Sequence, residues 1–270
     1  LLKNALEAKK VEVKLQDYPD GLFPLMRSKL TNPRATVIHI HWISELVKSI
    51  LWSQMWVFQR VKLTLLLLDI LCVRVSGVKV VWTVHNLISH ESPNKELEIE
   101  VRRLIARVCS KVIIHSESAL NAVQQLCTID IRKKTSIIPH GNYDNCYFFD
   151  EKIAHKIKKD FHITEENIVI LFFGAIRGYK GVEHLIENFL KAEGSHLKLI
   201  IAGNPQDKEL TRSIEDRAER DSRISLMLGF IPDEAVSALF SIADIVAIPF
   251  ERTLTSGSAV LAITMGKALF

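Results

Sequence analysis

The chain has 270 residues, enough for two domains of ordinary size, and its 48% hydrophobic residues allow a real core and exclude global disorder. A formal charge of +4 and a pI of about 8.8 suit anionic lipid or phosphorylated ligands and are too weak to argue for nucleic acid. Cys72, Cys109, Cys127 and Cys146 are widely spaced with no C-x-x-C pair, which indicates neither a zinc site nor a disulfide framework and points to a reducing, cytoplasmic setting.

Leu2, Ala5 and Leu6 read as a helix, and the alternation Val11, Val13, Leu15 reads as a strand. Residues 37–42 read as a second strand, with His39 and His41 on one face. Residues 43–75 carry an apolar helical face (Leu46, Ile50, Leu51, Met55, Phe58) beside Trp52 and Trp56, with Lys48, Arg60, Lys62 and Arg74 as the basic groups. Two readings fit: a core helix packed on a sheet, or a helix lying at a membrane surface. The apolar run 63–73 is too short to span a bilayer.

Residues 79–84 read as a strand feeding a loop that holds His85, Asn86, His90 and Glu91. A charged helix over 95–110, a strand over 112–114, a helix capped by Ser116 or Ser118, and a strand over 136–139 follow. Strand and helix alternate, so a doubly wound parallel sheet is predicted. Composition shifts over 144–166, toward Asn, Asp and Tyr and then a Lys-rich helix; the boundary is placed so that residues 1–148 form one domain and 149–270 the other.

The second domain opens on the clearest signal in the chain. Ile168 to Phe173 is an unbroken apolar run closed by Gly174, as in a strand buried on both faces. Arg177 and Lys180 then lie in a Gly-punctuated loop before a segment with helical apolar spacing (Val182, Leu185, Ile186, Phe189). Two cations at the carboxyl end of a core strand suit a diphosphate; solvated loop charges are the plainer alternative. Strands over 197–202, 224–228 and 245–248 alternate with helices over 207–220 and from Pro232. Thr255, Ser256, Gly257 and Ser258 open a last helix, through Met265, whose first N–H groups form a second anion site or simply a capped end. The chain does not begin with Met and stops in what reads as a helix-to-strand turn, so a piece cut at both ends is expected.

These residues resemble GT-B-fold nucleotide-sugar glycosyltransferases, most closely those of family 4, over nearly the whole length. Gly174 to Gly181 is similar to the family's G-R-x-x-x-x-K-G loop, with Ala175 at the usual Arg position and Arg177 in its place. Arg223 to Pro232 and Ala243 to Pro249 resemble its late strands, Thr83 to Asn86 its T-x-H-[DN] loop, and Ile138 to Gly141 its I-P-N-G turn. The resemblance implies two Rossmann-like domains facing a cleft. It also implies sugar transfer to a hydroxyl of a saccharide or lipid-linked acceptor, in bacterial surface polysaccharide or glycolipid synthesis, with retention and without metal. No cofactor is implied, the substrate being a UDP-, GDP- or ADP-sugar. His85 is then catalytic, and Asn86, His90, Glu91, His140 and Gly141 lie on the acceptor side. Gly174, Arg177, Lys180, Phe230, Ile231, Glu251, Thr255, Ser256, Gly257 and Ser258 bind the donor. One departure stands out: the family's paired Glu positions are Thr253 and Leu261 here, and only Glu251 lies nearby. Two alternatives stay open: a non-catalytic partner subunit, which the loss of that pair favours, and a sugar-nucleotide epimerase of the same fold, which it argues against.

Overall fold

The structure, a computed structural model, describes residues 2–19, 21–89, 92–250 and 254–270. The chain divides into two compact units, Leu1–Pro139 and His140–Phe270. The division falls ahead of the 148/149 boundary placed on composition. Tyr143 and Tyr147 pack against the core of the second unit, and the Phe148 carbonyl accepts from the Ser237 hydroxyl at 2.6 Å.

The first unit runs α1 (Leu2–Glu7), α2 (Pro24–Thr31), β1 (Val37–Ile40), α3 (Ile43–Leu51), α4 (Trp56–Val75), β2 (Lys79–Thr83), α5 (Lys95–Val108), β3 (Lys111–Ile114), α6 (Glu117–Cys127) and β4 (Thr135–Ile137). Its four strands are parallel and stand in chain order, β1-β2-β3-β4. Val80, Trp82, Val112 and Ile114 are buried, which is the alternation that lets a sheet present apolar side chains to a helix layer.

Two expectations fail here. Residues 11–19 form no strand: Val11 is 48% and Leu15 74% exposed, and no ladder partner lies beside them. The 43–75 region is two helices. The turn at 52–55 rotates the apolar face, so Leu46, Ile50 and Leu51 are buried while Met55 and Phe58 are exposed.

A buried carboxylate ties this unit together. The first amides of α2 receive no cap from their own segment, because Phe23 precedes Pro24 in the left-handed region. Asp69, on the inner face of α4, accepts from Leu25 N and Met26 N, both at 2.8 Å. It thus supplies from a distant helix what an N-cap residue normally supplies locally. Burial raises its pKa, and the two backbone donors work against that rise.

The second unit runs α7 (Glu151–Asp160), β5 (Ile168–Phe173), α8 (Val182–Phe189), β6 (Leu197–Gly203), α9 (Lys208–Ala218), β7 (Ile224–Leu228), α10 (Asp233–Ile242), β8 (Ile245–Val246), α11 (Gly257–Thr264) and β9 (Ala268–Leu269). The sheet is parallel with order β7-β6-β5-β8-β9. Successive β5 residues feed opposite faces: Val169 and Leu171 join a cluster with α7, α10 and α11, and Phe172 joins one with α8 and α9. The chain builds outward from β5 to β7, then returns to lay β8 on the other side of β5. This reversal is the double winding, and it opens a crevice at the carboxyl ends of β5 and β8. Among the described residues no helix is long and apolar enough to cross a membrane.

Candidate functional site

The β5/β8 switch point is where the cations converge. Gly174, the first residue after β5, has φ +131, and a Cβ there would sit 2.8 Å from Ser258 Oγ and 3.7 Å from Lys180 Nζ. The missing side chain therefore leaves one space that a hydroxyl from the start of α11 and an ammonium from the α8 loop both approach. Lys180 Nζ also stands 5.0 Å from the Phe250 ring centroid, a cation–π distance. Burial, and then the neighbouring Arg177, lower its pKa. Gly181, with φ +67, lets the loop close on the segment after β8, since a Cβ would run into the Pro249 carbonyl. Arg177 is half-buried, and its guanidinium donates to the carbonyls of Ile176 (2.8 Å) and Asn204 (3.2 Å), which fixes it beside the loop.

The Ser256 side chain caps α11 by accepting from Ala259 N at 3.1 Å. The amides of Gly257 and Ser258 remain as the helix's first N–H groups, at the positive end of its dipole. Thr255 is half-buried just before the cap. Tyr143 joins them: its hydroxyl would lie 3.0 Å from a Cβ on Gly257. Sequence reasoning passed Tyr143 over as linker; its signal was an aromatic next to Asn142 and Asp144 just before a helix. Phe230 and Ile231 follow β7, on the same carboxyl edge two strands from β5, with Phe230 83% exposed and Ile231 packed on the core. Glu251 lies outside the described residues, as do His90 and Glu91.

In the first unit His85 is not alone. The register pairs Thr83 with Ile113, so His85 comes to lie beside His115, and their rings are 5.2 Å apart. His85 Nε2 is 3.2 Å from His41 Nε2, and its ring stacks on Trp42 at 4.4 Å. His39 bonds Thr83 Oγ1 through Nε2 at 2.7 Å, and His115 bonds the Ile138 carbonyl through Nδ1 at 2.9 Å. Four imidazoles thus gather at the ends of β1, β2 and β3. Burial, then His115, lower the pKa of His41, and burial, then His41, lower that of His39. Sequence reasoning named His39, His41 and His85 and missed His115, whose signal was its place one residue past a strand, like His41. Asn86 offers its carbonyl to Arg102. His140 and Gly141 belong to the second unit, where His140 Nδ1 contacts the Gly141 carbonyl at 2.7 Å. Among the described residues no group of three or more His, Cys, Asp or Glu side chains is placed to hold a metal ion.

Comparison with known proteins fits this arrangement. Residues 154–264, which hold the switch point and α11, match the family model described as Glycosyl transferases group 1. Two curated relatives from Xanthomonas campestris pv. campestris, both named GDP-mannose:glycolipid 4-beta-D-mannosyltransferase, are 28% identical over 258 residues. That alignment covers 92% of this chain and 65% of each relative's length. Among solved structures, Anabaena HepE in complex with UDP and glucose superposes with a TM-score of 0.70 at 17% identity, covering 99% of this chain and 69% of that one. WaaG, a glycosyltransferase involved in lipopolysaccharide biosynthesis, superposes with a TM-score of 0.57 at 15% identity, covering 93% and 78%. The chain thus has the GT-B fold of these solved glycosyltransferases, and its residues 154–264 are similar to the group 1 glycosyl transferases.

Proposed function

We propose that the chain transfers a hexosyl group from a GDP-sugar to a hydroxyl of a glycolipid. The observation that carries this reading is the convergence of Lys180 Nζ and Ser258 Oγ on the space beside Gly174, at the switch point of a parallel sheet. Transfer breaks the bond between the anomeric carbon and the diphosphate, whose oxygen keeps the electron pair, so the leaving group gains charge. Lys180, Arg177 and the first amides of α11 stabilise that charge, with Tyr143 as a further donor. The acceptor oxygen bonds the anomeric carbon and gives up its proton. We assign the proton to the His85–His41 pair, in which burial favours a neutral, proton-accepting imidazole on His41.

The relatives' name gives GDP-mannose, a glycolipid and a β linkage. GDP-mannose carries its sugar α-linked, so a β product reflects inversion. We take inversion for this chain, in place of the retention implied by resemblance. The absence of Glu at 253 and 261 supports that choice. With GDP-mannose, UDP-glucose and ADP-glucose offered separately and water standing in for the acceptor hydroxyl, proton NMR is expected to show GDP-mannose turned over and mannose released first as the β anomer. Mannose appearing first as the α anomer sinks the inverting course, and turnover of none of the three sinks the transferase reading.

A membrane-surface acceptor supports a place for the exposed side of α4, and with it peripheral attachment at the cytoplasmic face. Val57, Val61, Leu68, Leu71 and Val75 repeat at helical spacing on its outer face, each at least 40% exposed, over roughly 30 Å of helix. Trp52 and Met55 are exposed at the turn that precedes it and Trp56 and Phe58 in its first turn, with Lys48, Lys62 and Arg74 nearby in sequence. Aromatic and aliphatic groups rimmed by cations suit an anionic bilayer surface. The chain is expected to float with vesicles containing phosphatidylglycerol and to bind neutral vesicles far less. Changing Trp52, Trp56 and Phe58 together to Ser should weaken that binding more than about tenfold. Equal flotation of the triple variant would assign the face to another partner.

A further inference from the structure

The loop that follows β2 is held from behind by an ion pair that neither the reaction chemistry nor the family match uses. Glu98 and Arg102, one turn apart on α5, are 0% and 4% exposed. Glu98 Oε1 takes three donors: Arg102 Nε at 2.8 Å, an Arg102 terminal nitrogen at 2.6 Å, and the backbone amide of Ser89 at 2.8 Å. The other terminal nitrogen of Arg102 donates to the Asn86 carbonyl at 2.9 Å. Glu98 Oε2 is buried and has no hydrogen-bond partner among the described residues. A pair that served helix α5 alone would share its donors between both carboxylate oxygens. This one loads a single oxygen and sends its remaining bonds to the two ends of segment 86–89.

We propose that Glu98 and Arg102 are positioning residues: they clamp the 86–89 loop and so fix where the preceding His85 imidazole stands among His41, His115 and Trp42. The catalytic weight of that position rests on the sugar-transfer reading; the clamp itself does not. A planar guanidinium reaches the carboxylate and the Asn86 carbonyl at once, which a lysine ammonium cannot reproduce with the same geometry. A buried ion pair is often replaceable by apolar side chains of similar volume without loss of stability, whereas removing one partner strands a buried charge. The two roles of the pair can therefore be separated.

The test uses the whole chain with 13C-labelled histidine, the His85 signals being assigned by their loss in His85→Gln. In Glu98→Leu/Arg102→Met the melting temperature is expected to hold near that of the unmodified chain. The His85 imidazole signals shift, because the ring leaves its place against His41 and Trp42. Turnover of GDP-mannose falls by about a hundredfold with its KM unchanged, the cost of a catalytic group displaced by about an ångström. Should that double variant not fold, Arg102→Lys keeps the buried charge balanced and is expected to move the same signals. His85 shifts identical to the unmodified chain, in whichever of the two variants folds, would overturn the proposal. The imidazole readout needs no substrate, so a chain without transferase activity still reports on the clamp.

Discussion

Arg177→Ala combined with Lys180→Ala is expected to weaken GDP binding at least about a hundredfold, because two charge-assisted contacts of roughly 1.5–3 kcal/mol each are lost. The fold should survive, since both side chains leave a short 3-10 loop and, among the described residues, Arg177 bonds two backbone carbonyls and Lys180 faces an aromatic ring. The effect has a pH signature. Burial and Arg177 lower the pKa of Lys180, so the free site loses this charge at lower pH than an ordinary lysine would. A bound diphosphate favours the ammonium form and draws a proton in. GDP affinity of the unmodified chain should therefore fall as pH rises through the lowered pKa, and the double variant should lack that fall. Calorimetric titration at several pH values reads both effects. Unchanged affinity in the double variant rejects the diphosphate assignment.

What the sequence disclosed follows from how local each cause is. β5 was legible to the residue, because a strand buried on both faces is an apolar run with sharp ends, and so was the edge strand β7, bounded by Arg223 and Gly229. The placement of Arg177 and Lys180 was legible because both follow the end of β5. The histidine cluster was not: His115 meets His85 only through the register of β2 and β3, which no single segment encodes. The same holds for Asp69, an acidic residue within an apolar helix, whose partners are amides of α2. Glu98 and Arg102 fall within a helix read only as charged and amphipathic, and the returning loop explains their burial. The Val11–Leu15 alternation misled in the opposite direction. Three apolar residues at period two make a strand only where a sheet edge receives them, and none does.

Gly203→Ala should be among the most damaging single substitutions in the second unit. Gly203 ends β6 with φ +151, and a Cβ there would fall on the backbone carbonyl of Gly174, which follows β5 next door. The two glycines approach because Gly174 N donates to the Ala202 carbonyl at 3.0 Å, while the Gly203 carbonyl accepts from Gly229 N at 2.9 Å. No flexible side chain stands in the way, so nothing can swing aside; the strand ends must part. Strain in φ of about 1–3 kcal/mol and overpacking of about 1–3 kcal/mol together predict a loss of roughly 3–5 kcal/mol. For a unit of this size that lowers the melting temperature by about 10 °C or more. Gly229→Ala supplies the control: its φ of +116 carries the backbone strain, but nothing lies within 4 Å of the added carbon. If the two variants melt together, the close approach of β5 and β6 is not what demands glycine at 203. If Gly203→Ala is much the weaker, GDP binding should fall with it, because the same strand end positions the space that Lys180 and Ser258 share.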